Sequence, residues 1–132
     1  DTAPTSTHFT LGTDRMVNQS SFNYIAMLFA SVDGISKCGY YTGTGSSGHA
    51  ITTGFQPRFV IIKCTSNTSC SWVVLDTTRG WGSGNDAWIA LDSNAAQDSG
   101  YEQGAPTSTG FTLADGGDIN GSGRKYIYYA HA

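Results

Sequence analysis

The chain has 132 residues, 13% of them charged, 17 glycines and a formal net charge of −3. That length suits one domain with a core of its own. The sparse and slightly acidic charge argues against nucleic acid as a partner, and no apolar run approaches the ~20 residues of a spanning helix, so no membrane insertion is expected.

Taken in chain order, the apolar stretches are rich in β-branched and aromatic residues and are broken by Gly, Ser, Thr, Asn and Asp, the pattern of short strands joined by turns. The predicted strands are "HFTLG" at 8–12, "YIAMLFA" at 24–30, "KCGYYTG" at 37–43, "AITTGF" at 50–55 and "RFVIIKC" at 58–64. They continue with "SWVVLD" at 71–76, "AWIAL" at 87–91, "GFTLA" at 110–114 and "YIYYAHA" at 126–132. Many short strands with Gly-rich connections predict an all-β, antiparallel β-sandwich of jelly-roll-like character. "FVIIK" and "WVVLD" are apolar on both faces, so their hairpin is expected at the centre, buried on both sides.

That hairpin encloses "TSNTS" between Cys64 and Cys70. Setting the two cysteines opposite each other pairs Ile62 with Trp72, Val60 with Val74 and Arg58 with Asp76 on one face, and Ile61 with Val73 and Phe59 with Leu75 on the other. In this register Trp72 is core, Arg58 and Asp76 form a cross-strand register pair, and Cys64–Cys70 is a candidate disulfide worth about 2–3 kcal/mol. Two free thiols are the alternative. Cys38 is left over as a small buried apolar residue.

The nine residues "APTSTHFTL" at 3–11 return as "APTSTGFTL" at 105–113. Sliding the chain by 102 positions aligns 3–30 with 105–132 without a gap, and 13 of the 28 positions are identical, where chance gives about two. The repeat divides the single domain, 1–132, into a strand pair at 1–30 that duplicates 103–132 and a core module at 31–132. A lone strand pair is marginal in water. Two arrangements are open: the first copy completes its own sandwich, or it adds to the sheet edge of a neighbouring subunit.

Chemistry-bearing residues are few. Trp81 and Trp88 flank "GSGND", and with Tyr41, Tyr101, Asn85 and Asp86 they form the candidate binding set, flat aromatic faces with polar partners that suit a sugar ring or a protein. "DGGDINGSG" at 115–123 offers Asp115, Asp118 and Asn120 as a weak calcium candidate, since the closing bidentate Glu of such loops is missing. Nothing marks a glycosidase carboxylate pair or a G-x-S-x-G nucleophile elbow. The chain is therefore expected not to be an enzyme and to need no cofactor.

The order of phrases carries a resemblance. "GYYTGTGSSGHAITTGFQPRFVIIK", "SWVVLDTTRG", "SNAAQD" and "STGFTLADGGDINGSGRKYIYYAHA" resemble a module of structural proteins from marine and cyanobacterial bacteriophages. That family's pattern runs G-x-Y-x-G-x-G, then G-F-x-P-x-(F/W)-V-x-I-K, then W-V-x-x-D-x-x-R-G. It closes with G-F-x-(L/V) and N-x-S-G-x-x-Y-I-Y, here Gly110 to Leu113 and Asn120 to Tyr128. The opening "FTLGTDRMVNQSSFNYIAMLFA" followed by "ISKCGYY" looks like the junction between two modules of a tandem array. The resemblance implies a virion structural protein, tail fibre or appendage, outside the cell. Other virion proteins are then the expected partners. Low charge and abundant aromatics suit burial at subunit contacts, so a homo-oligomer (a trimer or polymer) is expected, and the exposed aromatic set makes a host surface glycan the candidate ligand. A lectin-like module and a capsid decoration or filament-forming subunit are the rival readings.

Overall fold

The computed structural model describes residues 2–82 and 84–132 as an antiparallel β-sandwich preceded by an extended arm. The strands are β1 Ser36–Thr42, β2 His49–Thr52, β3 Phe59–Cys64, β4 Trp72–Asp76, β5 Asp86–Ala90, β6 Asp98–Tyr101, β7 Pro106–Thr107, β8 Gly110–Leu113 and β9 Lys125–His131. Two single-turn helices, α1 Arg15–Asn18 and α2 Gly117–Asn120, complete the elements. One sheet has six strands in the order β1-β9-β3-β4-β5-β6, and the other three in the order β2-β8-β7. No helix among the described residues is long and apolar enough to cross a membrane.

Alternation builds the core. Val60, Ile62 and Cys64 of β3, Val73 and Leu75 of β4, and Tyr126, Tyr128 and Ala130 of β9 face inward and are buried. Ile51, Phe111 and Leu113 of the smaller sheet meet them. The aromatic contacts are specific: Tyr41 stacks on Tyr126 with centroids 4.9 Å apart, and Phe111 meets Tyr128 edge-on at 5.6 Å and Trp81 edge-on at 6.0 Å. Pairs of this kind add ~0.5–1.5 kcal/mol each beyond the area they bury.

The central hairpin is offset by one residue from the expected register. Lys63 faces Trp72, Ile62 faces Val73, Ile61 faces Val74, Val60 faces Leu75 and Phe59 faces Asp76. A one-residue slip exchanges the faces of a strand. Trp72 therefore points outward, 39% exposed, with the Lys63 ammonium 5.7 Å from its ring centre, and is not a core residue. Both faces of these strands are apolar, so the hydrophobic pattern alone permits either register. What selects the observed one is that Val73 and Leu75 join Ile62 and Val60 on the inner face. The outer face of β3, with Phe59, Ile61 and Lys63, is half-buried rather than covered.

The slip also dissolves the Arg58–Asp76 pair. Asp76 instead forms an ion pair with Arg79 and accepts the Arg79 backbone N–H at 2.8 Å, which fixes the turn after β4. Arg58 is held through its main chain, donating to the His131 carbonyl and accepting from Thr77 N–H. Cys64 and Cys70 are both buried and are free thiols. Cys70 Sγ lies 3.6 Å from the Gly117 carbonyl and 3.3 Å from Arg124 Nη1.

The strands expected at 8–12 and 24–30 do not form. Residues 2–30 contribute no strand to either sheet and are exposed along their length. The slot that 24–30 would fill, between β1 and β3, is occupied by β9 of the same chain. The arm touches the body near its end: the Phe29 ring lies 4.5 Å from that of Tyr129, and the Ala30 carbonyl accepts from Ser36 Oγ at 2.8 Å.

Candidate functional site

The candidate binding residues separate into two groups. Trp88 on β5 and Tyr101 at the end of β6 come together on one groove of about 310 Å³, lined also by Val73, Glu102, Gln103, Asp115 and Asp118. The β5–β6 pairing, with Asp86 opposite Tyr101, makes this possible. Tyr101 is 67% exposed, while Trp88 is half-buried. Asn85 sits beside them, its Nδ2 donating to the Gly100 carbonyl at 3.0 Å. A ring face beside carboxylates and an amide suits a polyhydroxylated ligand, whose C–H faces stack and whose hydroxyls donate. Glu102 and Gln103 escape the sequence reading because "DSGY" at 98–101 shows no apolar alternation to mark a strand.

The other candidates are structural. Trp81 is 3% exposed and packs on Phe111 in the core, so the loop after β4 turns inward and Trp81 presents no surface. Asp86 is fully buried, and its carboxylate accepts from Gly82 N–H at 2.9 Å and Gln103 N–H at 2.7 Å, stitching two loops together. Tyr41 is buried, its hydroxyl donating to the Ile119 carbonyl at 2.5 Å, and burial raises its phenol well above the ordinary range.

Asn120 is likewise unavailable to a cation. Its Nδ2 donates to the Ser46 and Ala114 carbonyls, both at 2.9 Å, and its Oδ1 accepts from Thr44 N–H at 2.8 Å and lies 3.0 Å from His49 Nδ1. An amide with its donors and lone pairs so engaged has no oxygen left for calcium. Among the described residues, no group of three or more His, Cys, Asp or Glu side chains is placed to hold a metal ion.

The thiol pair has its own electrostatics. Burial raises Cys64, but hydrogen bonds from the Ser66 backbone, Cys70 and the Ser66 hydroxyl outweigh it and leave the thiol below its usual value. Burial and the neighbouring Cys64 push Cys70 the other way.

A second surface lies on the outer face of the six-stranded sheet. A groove of about 420 Å³ runs between the arm and the strands, lined by Met27, Phe29, Ile61, Trp72, Leu91 and Ile127 among others. Its walls are almost wholly apolar apart from Lys63, whose ammonium lies 3.7 Å from the Asp92 carboxylate. Apolar walls of this kind fit protein surface better than a charged metabolite.

Compared with known families, the whole chain, residues 1–132, matches the model of a family described as a domain of unknown function, DUF7483. No curated protein and no solved structure matches the chain.

Proposed function

The chain belongs to the DUF7483 family along its full length, and we propose that it is a non-enzymatic structural and adhesive module of a bacteriophage virion, part of a tail fibre or related appendage. The observation that carries this reading is the amount of apolar surface presented outside a well-formed core. Leu11, Met16, Ile25, Met27 and Leu28 of the arm are half to almost fully exposed, and the outer sheet face adds Trp72, Leu91 and Ile127. Surface of this kind, with 13% charged residues, suits burial against other protein in an assembly. The virion context is supported by the order of motifs, which resembles that of phage structural modules. Mass spectrometry and antibody labelling of purified particles of the encoding virus test it: the chain is expected on the particle exterior, and its absence from particles overturns the proposal.

The groove of Trp88, Tyr101 and the carboxylates favours a second reading, a lectin-like contact with host glycans. Binding to a glycan array that is lost on Tyr101→Ala supports it. A chain that binds no glycan, or binds equally well after that substitution, removes it.

A further inference from the structure

The arm and the closing strands share more than sequence. At an offset of 102 residues the same local structure appears twice, once inside the sandwich and once outside it. Helix α1, Arg15–Asn18, corresponds residue for residue to α2, Gly117–Asn120. Asn18 Nδ2 donates to the Gly12 carbonyl at 2.9 Å, as Asn120 Nδ2 donates to the Ala114 carbonyl at 2.9 Å. The Tyr24 hydroxyl donates to the Arg15 carbonyl at 2.8 Å and accepts from Gln19 N–H at 2.9 Å. Tyr126 makes the same two bonds to Gly117 and Gly121, both at 2.7 Å. Even the backbone sign is kept. Ser21 stands at φ +68°, the one described non-glycine residue at positive φ, and its counterpart is Gly123 at +72°. A serine there is strained by a steric cost that glycine escapes.

Only the surroundings differ. Phe111, Leu113, Ile119 and Tyr126 are at most 1% exposed, whereas their counterparts Phe9, Leu11, Val17 and Tyr24 are 39–50% exposed. The arm therefore holds the conformation of a closing unit without the body that such a unit closes. We propose that residues 3–30 are the closing strands of a second sandwich body, a module of this same architecture but different sequence. They enter it as β7, β8, α2 and β9 enter residues 36–101. This inference rests on the repeat and its geometry, not on the virion reading.

Three positions say that the acceptor is not another copy of this chain. His8 takes the place of Gly110, where an added Cβ would collide with the Ile51 carbonyl oxygen of the facing strand. Leu28 takes the place of Ala130, which is fully buried. Ala26 takes the place of Tyr128, whose ring lies where a Cβ on Gly39 would have to go, 2.5 Å away. The true acceptor accordingly has its β2 set back opposite His8, a deeper hole beneath Leu28, and room for a side chain at the position of Gly39. In addition, an identical copy already carries its own closing strands in that slot.

Two measurements test the proposal. Joining residues 31–104 directly to residues 3–132 gives a two-module chain in which the arm is in line to close the upstream body. The substitutions His8→Gly, Ala26→Tyr and Leu28→Ala match the arm to that body. Hydrogen exchange at residues 9–11 and 24–28 of the matched two-module chain is expected to slow by about a hundredfold or more relative to the 132-residue chain, because ladder amides exchange only on opening. Less slowing is expected without the three substitutions. Arm amides that stay as fast as in the 132-residue chain, while residues 59–75 of the downstream module are protected, overturn the closing-strand assignment. Sedimentation of the unaltered 132-residue chain tests the acceptor's identity. No polymer that depends on residues 2–30 is expected, and polymers that vanish on deleting residues 2–30 would show that identical copies accept the arm.

Discussion

Replacing Asn120 with alanine removes a fully engaged amide from a site with no solvent exposure. The Ser46 and Ala114 carbonyls lose a donor, and the Thr44 N–H and the His49 ring lose an acceptor. A buried group left without its partner costs about 1–3 kcal/mol. The Ala114 bond is buried and the other three are only part-buried, so water recovers some of their loss; the total expected is about 3–4 kcal/mol. Against the 5–15 kcal/mol stability usual for a domain, that is a large fraction. In urea denaturation followed by tryptophan fluorescence it appears as a midpoint lowered by about 2 M, taking a slope of ~1.5–2 kcal/mol per M. The repeat supplies the control. Asn18→Ala removes the matching side chain from the arm, where it makes an exposed bond to Gly12, and is expected to shift stability by less than about 0.5 kcal/mol. Equal effects from the two substitutions would refute the reasoning, because they would mean that the two copies share one environment.

Three other outcomes follow from the same geometry. Trp81→Ala empties a core position against Phe111 and is expected to destabilise by about 3–5 kcal/mol, measured as a fall in melting temperature, whereas Tyr101→Ala leaves stability within about 0.5 kcal/mol. Asp86→Ala frees the Gly82 and Gln103 amides and is expected to cost about 2–4 kcal/mol, with faster hydrogen exchange at both amides. Burial tends to raise the Asp76 carboxyl, but hydrogen bonds from the Arg79 side chain and backbone and the Arg79 charge outweigh it, so the group titrates below its ordinary 3.8. A carboxyl lowered on folding contributes stability that is whole above its unfolded pKa and is lost as pH falls through the folded one. Asp76→Asn is therefore expected to lower stability by about 1 kcal/mol at neutral pH, the side chain being partly solvated. The difference should close in acid, below pH 3.8, as denaturation curves across the acid range will show.

Much of the sandwich is legible in the sequence because it is written in local periodicity. The expected strands at 37–43, 50–55, 58–64, 71–76, 87–91, 110–114 and 126–132 all correspond to strands, with ends displaced by a few residues at most. β6 and β7 escape because Asp98–Tyr101 has no apolar alternation and Pro106–Thr107 is two residues long. The register of the central hairpin escapes because Ile61 and Ile62, like Val73 and Val74, offer either face equally well. That single slip moves Trp72 from core to surface and separates Arg58 from Asp76. Trp81 went the other way, since a Gly-rich loop reads as surface while its one large ring can still fold inward. Of the candidate binding residues, Trp88 and Tyr101 do share a groove. The repeat was legible as letters, and its local hydrogen bonds follow from those letters. Where the first copy lies was not, because strand pairing depends on which partner is free, and here the chain's own β9 holds the slot.

The register of the arm in a second body tests the central claim most directly. In this module Ile127 stands opposite Tyr40 on one side and Lys63 on the other. Nuclear Overhauser contacts in the matched two-module chain should accordingly place Ile25 between the upstream Tyr40 and Lys63. Contacts confined to sequence neighbours of Ile25, with the downstream module folded, would contradict the account.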